Sequence, residues 1–240
     1  MDSTILNYKI YSKSKMELVE EVFKRNEKIH IVSGNPEVLS NGLTDKILFD
    51  NFTSENAIII PDGIGVVIST KIVRQPVMEK IPGIEVVDVI LKRCEKEKKS
   101  VYLLGSKQDT LDLCIKNMHI KYKDLNISGS HNGYFDLNNC EQLIEEVNQK
   151  KPFVVFVAMG APRQELFIAK YMENLNASVF MGVGGSFDNY AGIVKRAPSF
   201  MIKLGLEWLY RVAKEPFRIK RLSVIPKFML KVFVNKYIMK

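Results

Sequence analysis

The sequence predicts an α/β protein in which a mostly parallel sheet is covered by helices. Short apolar runs rich in β-branched residues alternate with longer stretches of helical periodicity. Loop-forming glycine and proline follow several of the predicted strands, where the chain would turn back over the sheet. A chain of 240 residues that is 46% hydrophobic suits one packed α/β domain with a small appendage.

The elements follow in order. Residues 16–25 read as a helix and 29–33 as a strand, and Gly34-Asn35-Pro36 then opens a further helix. Residues 57–60 form a run of isoleucines, hence a buried strand, closed by Pro61-Asp62-Gly63. A helix over 86–98 leads to a strand at 101–104, which Gly105-Ser106 ends. A helix over 108–122, a strand at 125–128 and a helix over 141–150 come next. The most apolar strand, 153–158, is followed by Gly160-Ala161-Pro162 and a helix over 163–175. The last strand, 178–181, runs into Gly182-Val183-Gly184-Gly185. Beyond this point residues 199–213 read as one helix. A second helical stretch follows Pro226, with Phe228, Met229, Val232, Phe233, Tyr237 and Ile238 apolar.

Charge divides the chain more sharply than hydropathy does. Residues 195–240 hold 12 Lys/Arg against Glu207 and Glu215, a local net of +10, while the first 194 residues net −2. The division expected is an α/β domain over 1–195 and a basic amphipathic appendage over 196–240. Such a tail addresses an anionic partner: lipid head groups, a diphosphate or nucleic acid. Lysines among large apolar residues at helical spacing fit an interfacial helix, and fit equally a helix docked on its own domain with its lysines in water. No run approaches the roughly 18 apolar residues of a spanning helix. Residues 1–15 are polar and lack a signal-peptide core, so residence in the cytoplasm is expected. Cys94, Cys114 and Cys140 are odd in number and far apart, and His30, His119 and His131 are scattered. Neither a disulfide framework nor a metal site is expected.

Ligands of open α/β sheets bind outside the carboxyl ends of the strands, so the loops there are the candidate chemistry. Asp62, between a strand and Gly63-Ile64-Gly65, is a candidate general base, although Pro-Asp-Gly is also a good turn. Ser33 and Asn35 can bond sugar hydroxyls or cap the helix that follows them. The loops around Gly160 and around Gly184, Gly185 and Asp188 offer backbone amides at helix starts, suited to a diphosphate. Gln164 adds an amide able to read a base or a sugar. Neither loop matches the P-loop or the dinucleotide fingerprint. In the tail, Arg218 and Arg221 would share a helix face, and with Arg211 they suit a diphosphate. The aromatic residues between them could instead stack on bases.

These residues recur in order in one family. Asn35-Pro36-Glu37, Asp62-Gly63-Ile64-Gly65, Pro82-Gly83, Leu103-Leu104-Gly105, Gly133-Tyr134-Phe135 and both glycine loops belong to the pattern. So do Lys195-Arg196-Ala197-Pro198, Glu207-Trp208-Leu209-Tyr210-Arg211 and Glu215-Pro216-Phe217-Arg218. From about residue 5 to about residue 225 the chain resembles the WecG/TagA/CpsF glycosyltransferases. The best-known members transfer N-acetylmannosamine to undecaprenyl-diphospho-N-acetylglucosamine in the synthesis of cell-surface polymers.

The resemblance implies a Rossmann-like fold and an inverting transfer from a UDP-sugar to a polyprenyl-diphosphate-linked acceptor, with neither metal nor cofactor. Asp62 would be the base. Ser33, Asn35 and Gln164 match substrate-binding positions, and Arg211, Arg218 and Arg221 match arginines of an appendage that closes over the site at the membrane. Lys80 stands where many members carry arginine, which keeps the charge and loses the bidentate fork. The implied location is the inner face of the plasma membrane, bound peripherally to anionic lipids, with a homo-oligomer compatible and nucleic acid not expected as a partner. Three other readings compete: transfer of a different sugar, a non-catalytic nucleotide-sugar-binding regulator, and a nucleic-acid-binding α/β protein that uses the basic tail.

Overall fold

The computed structural model describes residues 3–198, 201, 207–214 and 223–239. An eight-stranded sheet lies at its centre in the order β1-β2-β4-β3-β8-β7-β5-β6. The strands are β1 (Ser3–Ile5), β2 (Tyr8–Ile10), β3 (Ile29–Gly34), β4 (Ala57–Pro61), β5 (Val101–Gly105), β6 (Ile127–His131), β7 (Val154–Ala158) and β8 (Val179–Gly182). Every pairing is parallel except that of β1 with β2. The predicted fold class is the observed one.

Alternation along the strands sorts the core into two faces. On β3, β4, β5, β7 and β8, residues such as Ile31, Ile60, Leu103, Phe156 and Met181 point to one face. Their neighbours Val32 and Ile59 point to the other, as do Leu104, Val155 and Phe180. Helices cover both faces, which is why these strands read as unbroken apolar runs.

On the first face lie α1 (Lys15–Lys24), α5 (Gly83–Glu97), α6 (Gln108–Lys121) and α9 (Ser186–Tyr190). The start of α1 is fixed by a reciprocal cap between Ser14 and Glu17: each side chain bonds the other residue's backbone N–H. The second face carries α2 (Pro36–Gly42), α3 (Lys46–Thr53), α4 (Ile64–Ile72), α7 (Glu141–Lys150) and α8 (Arg163–Tyr171). A 3₁₀ turn, Met172–Asn174, finishes the segment that the sequence reads as one helix to residue 175.

Two further helices follow, α10 (Glu207–Lys214) and α11 (Val224–Tyr237). Residues 199, 200 and 202–206 of the expected 199–213 helix lie outside the described residues. Helix α11 packs on α4 and α2 and buries Phe228 and Val232 with the second-face core. Arg196, where the basic segment begins, donates to Glu85 at 3.3 Å, and Glu85 also holds Lys15 at 2.7 Å. No helix among the described residues is long and apolar enough to cross a membrane.

The β1–β2 hairpin is absent from the sequence prediction. Its strands are three residues each, too short for alternation to register, and its turn is Leu6-Asn7, both at positive φ. That geometry matches the twist of a two-residue hairpin but is rarely written with leucine. Strand β6 begins at Ile127, two residues later than predicted. It is the sheet's partly exposed edge, and its register on β5 shifts after Val101.

Candidate active site

The loops leaving the neighbouring strands β3 and β8 lead to helices on opposite faces of the sheet, α2 and α9. A crevice opens where such loops part. Here it is a cleft of about 510 Å³, whose lining includes Val212 of α10 and Ile225 of α11.

Asp62 enters the cleft from the end of β4. Its backbone N–H donates to Gly34 O at 3.2 Å, tying the β4 loop to β3, and its Oδ1 accepts from Gly83 N–H at 3.1 Å. Gly83 fits because it has no side chain: a Cβ there would lie 2.6 Å from Ser33 Oγ and 3.5 Å from Asp62 Oδ2. Ser33 and Lys80 line the same cleft.

Asn35 also borders the cleft, yet most of its amide is committed. Its Oδ1 caps α2 by accepting from Glu37 and Val38 N–H at 3.0 and 3.1 Å, and its Nδ2 donates to Ser33 O at 3.3 Å. The capping contact weighed from the sequence is therefore present.

Gln164 is committed too. It is 4% exposed, and its Oε1 accepts from Gly160 N–H at 3.1 Å and from Gly184 N–H at 3.0 Å. Both glycine loops are tied to one carbonyl oxygen, so those two amides are not open to an anion. The amides of Ala161 and Gly185 beside them have no protein acceptor among the described residues. Gly160 and Gly184 have positive φ (74° and 50°), and a Cβ at either would meet nothing within 4 Å. Glycine is needed there for backbone conformation. Asp188 lines the cleft from the first turn of α9.

One cleft thus gathers Ser33, Asn35, Asp62, Lys80, Gly160, Gln164, Gly184, Gly185 and Asp188. Arg211 falls on α10, while Arg218 and Arg221 lie outside the described residues. No group of three or more His, Cys, Asp or Glu among the described residues could hold a metal ion.

Three features have no role assigned to them by the sequence reading. Glu165, 2% exposed, accepts from Gln164 Nε2 at 2.7 Å, and burial pushes its carboxyl up to about 7. Ser106, at positive φ, lines both the main cleft and a neighbouring pocket of about 620 Å³. That pocket is shaped by Arg163, whose guanidinium donates to the carbonyls of Gly133 and Phe135, and it leaves Tyr134 69% exposed. The adjacent Gln-Glu pair at the start of a helix was the only sequence signal for Glu165.

Fold and site define a doubly wound α/β protein whose ligand cleft joins a strand-end carboxylate to two glycine loops. The description "Glycosyl transferase WecG/TagA/CpsF family" matches residues 3–240, and the chain belongs to that family. It is 38% identical over 198 residues to the N-acetylglucosaminyldiphosphoundecaprenol N-acetyl-beta-D-mannosaminyltransferase of Bacillus subtilis (strain 168), covering 82% of this chain and 76% of that one. Enzymes of the same name from Bacillus spizizenii and Staphylococcus aureus (strain MW2) are 34% and 35% identical. Those matches cover 88% and 85% of this chain and 81% and 79% of theirs.

Proposed function

We propose that this chain is an inverting transferase that moves a sugar, N-acetylmannosamine, from UDP to a sugar carried on a polyprenyl diphosphate. The relatives' names supply the sugar and the acceptor. The observation that carries the mechanism is Asp62, held by Gly83 N–H in the same cleft that the two glycine loops line. Asp62 takes the proton of the acceptor hydroxyl as its oxygen bonds to the anomeric carbon. The bond from that carbon to the β-phosphate oxygen breaks, and UDP departs with the electron pair. Lys80 and the Ala161 and Gly185 amides, which line the cleft, bind the diphosphate in this reading, and Arg211, Arg218 and Arg221 add guanidinium groups to it. The exposed ring of Tyr134 offers the uracil a stacking face in the adjoining pocket.

Residues 196–240 form the part of the chain that meets the membrane. Exposed Leu230 and Phe233 with Lys227 and Lys231 on α11 suit peripheral binding to an anionic leaflet on the cytoplasmic side. The test is UDP release across a panel of UDP-sugars with a short-chain lipid-diphospho-N-acetylglucosamine acceptor. UDP-N-acetylmannosamine should be preferred, and Asp62→Asn should lower turnover by roughly 10²–10⁴-fold while donor affinity changes only a few-fold. More than half of wild-type turnover in Asp62→Asn removes the aspartate from the role of base.

A further inference from the structure

Glu165 belongs to the donor half of the cleft without touching it. Its side chain is buried behind the glycine loops, and its Oε2 has no hydrogen-bond partner among the described residues. Its other oxygen accepts from the Gln164 amide nitrogen at 2.7 Å. The opposite end of that amide is the carbonyl that holds Gly160 and Gly184 N–H. Two backbone N–H groups face the Gln164 oxygen, so only one orientation of the amide is compatible with them. A flipped amide would set its own NH₂ against two donors and release both loops.

We propose that Glu165 is a positioning residue for the donor: through the Gln164 amide it sets the spacing of the two glycine loops that would hold the diphosphate. This rests on the donor-site reading above. The packing around the pair supports it. Gly182 ends β8 directly beneath, and a Cβ there would lie 2.7 Å from Gln164 Nε2 and 3.0 Å from Glu165 Oε1. The absence of a side chain at Gly182 thus makes the room the pair occupies. Burial and the nearby Glu37 both favour the neutral acid. A neutral acid still presents a carbonyl oxygen to Gln164, so the contact does not need a buried charge.

The experiment uses the full chain, with UDP binding by calorimetry and steady-state kinetics with the donor. Glu165→Gln keeps an acceptor of the same shape. Its UDP Kd and donor KM should stay within about threefold of wild type. Glu165→Leu keeps the bulk and removes the acceptor. Its Kd and KM should rise on the order of tenfold, the usual scale for a lost buried hydrogen bond, with kcat changed less than threefold. Hydrogen exchange at the Gly160 and Gly184 amides should quicken in Glu165→Leu and not in Glu165→Gln. If Glu165→Leu does not fold, Glu165→Asp, whose acceptor is withdrawn by one methylene, should show a smaller rise in the same direction. Wild-type UDP binding with equal affinity in the Leu or Asp variant overturns the positioning role alone. Absence of UDP binding in wild type overturns the donor reading, and this proposal with it.

Discussion

At the scale of single residues, the chemistry was legible where a side chain's type was unusual for its place, and illegible where partners decide its use. Asp62 could be singled out because a carboxylate closes an isoleucine run. The commitments of Gln164 could not, because its partners are 4 and 20 residues away in sequence and meet only in the fold. Two buried titratable residues carry the next prediction. His30, held by Asn51, has its pKa pushed down to about 4 by burial, whereas burial raises that of Glu165 to about 7. As pH falls below 6.5, an unfolded His30 gains a proton that the folded one refuses, so its effect is a loss of stability on acidification. Glu165 acts oppositely: above 4.5 the unfolded carboxyl ionises first, and stability falls as pH rises toward 7. Between pH 5 and 7 each contributes about 2 kcal/mol, with opposite sign, and the two nearly cancel. Urea unfolding should therefore show stability rising by about 2 kcal/mol from pH 5 to 7 in Glu165→Gln and falling by about as much in His30→Gln. A slope unchanged from wild type in both variants would refute these assignments.

At the scale of elements, β3, β4, β5, β7 and β8 were legible because a sheet covered on both faces demands unbroken apolar runs, whereas the edge strand β6, Ile-Ser-Gly-Ser-His, was placed two residues early. Helices α3 and α4 were missed: each is under ten residues, and α4 is too apolar for its stripe to stand out. The C-terminal helix shows why apolar count could not choose between its two readings. Helix α11 docks with Phe228 and Val232 while Leu230 and Phe233 stay 62% and 46% exposed. Four apolar residues divide between two faces, one used by the fold and one open. Phe228→Ala should therefore lower unfolding stability by about 3–5 kcal/mol, seen in urea melts. Leu230→Ser with Phe233→Ser should leave stability nearly unchanged and weaken binding to acidic liposomes at least several-fold. Equal loss of stability in both variants would mean the outward face is not free for a membrane.

At the scale of the whole molecule, the C-terminal segment reaches the candidate site, because α10 and α11 contribute Val212 and Ile225 to the lining of the cleft. If the acceptor is held at a bilayer surface, as proposed above, an element that recruits the protein there should also flank the site. Deleting the segment after Lys195 would be a poor test of this arrangement, since it strips Phe228 and Val232 from the core. Point substitutions separate the roles. Basic residues near an anionic leaflet contribute on the order of 1 kcal/mol each, so Lys227→Gln, Lys231→Gln and Lys236→Gln together should weaken liposome binding on the order of 100-fold. Turnover of a soluble short-chain acceptor should hardly change in that triple variant. Arg218→Ala with Arg221→Ala should depress turnover even on the soluble acceptor, where recruitment no longer matters, because guanidinium groups would grip the diphosphate itself. Flotation and UDP release, measured on both variants, give the two defects independently. Normal activity of the arginine variant on the soluble acceptor would reduce those residues to membrane anchors.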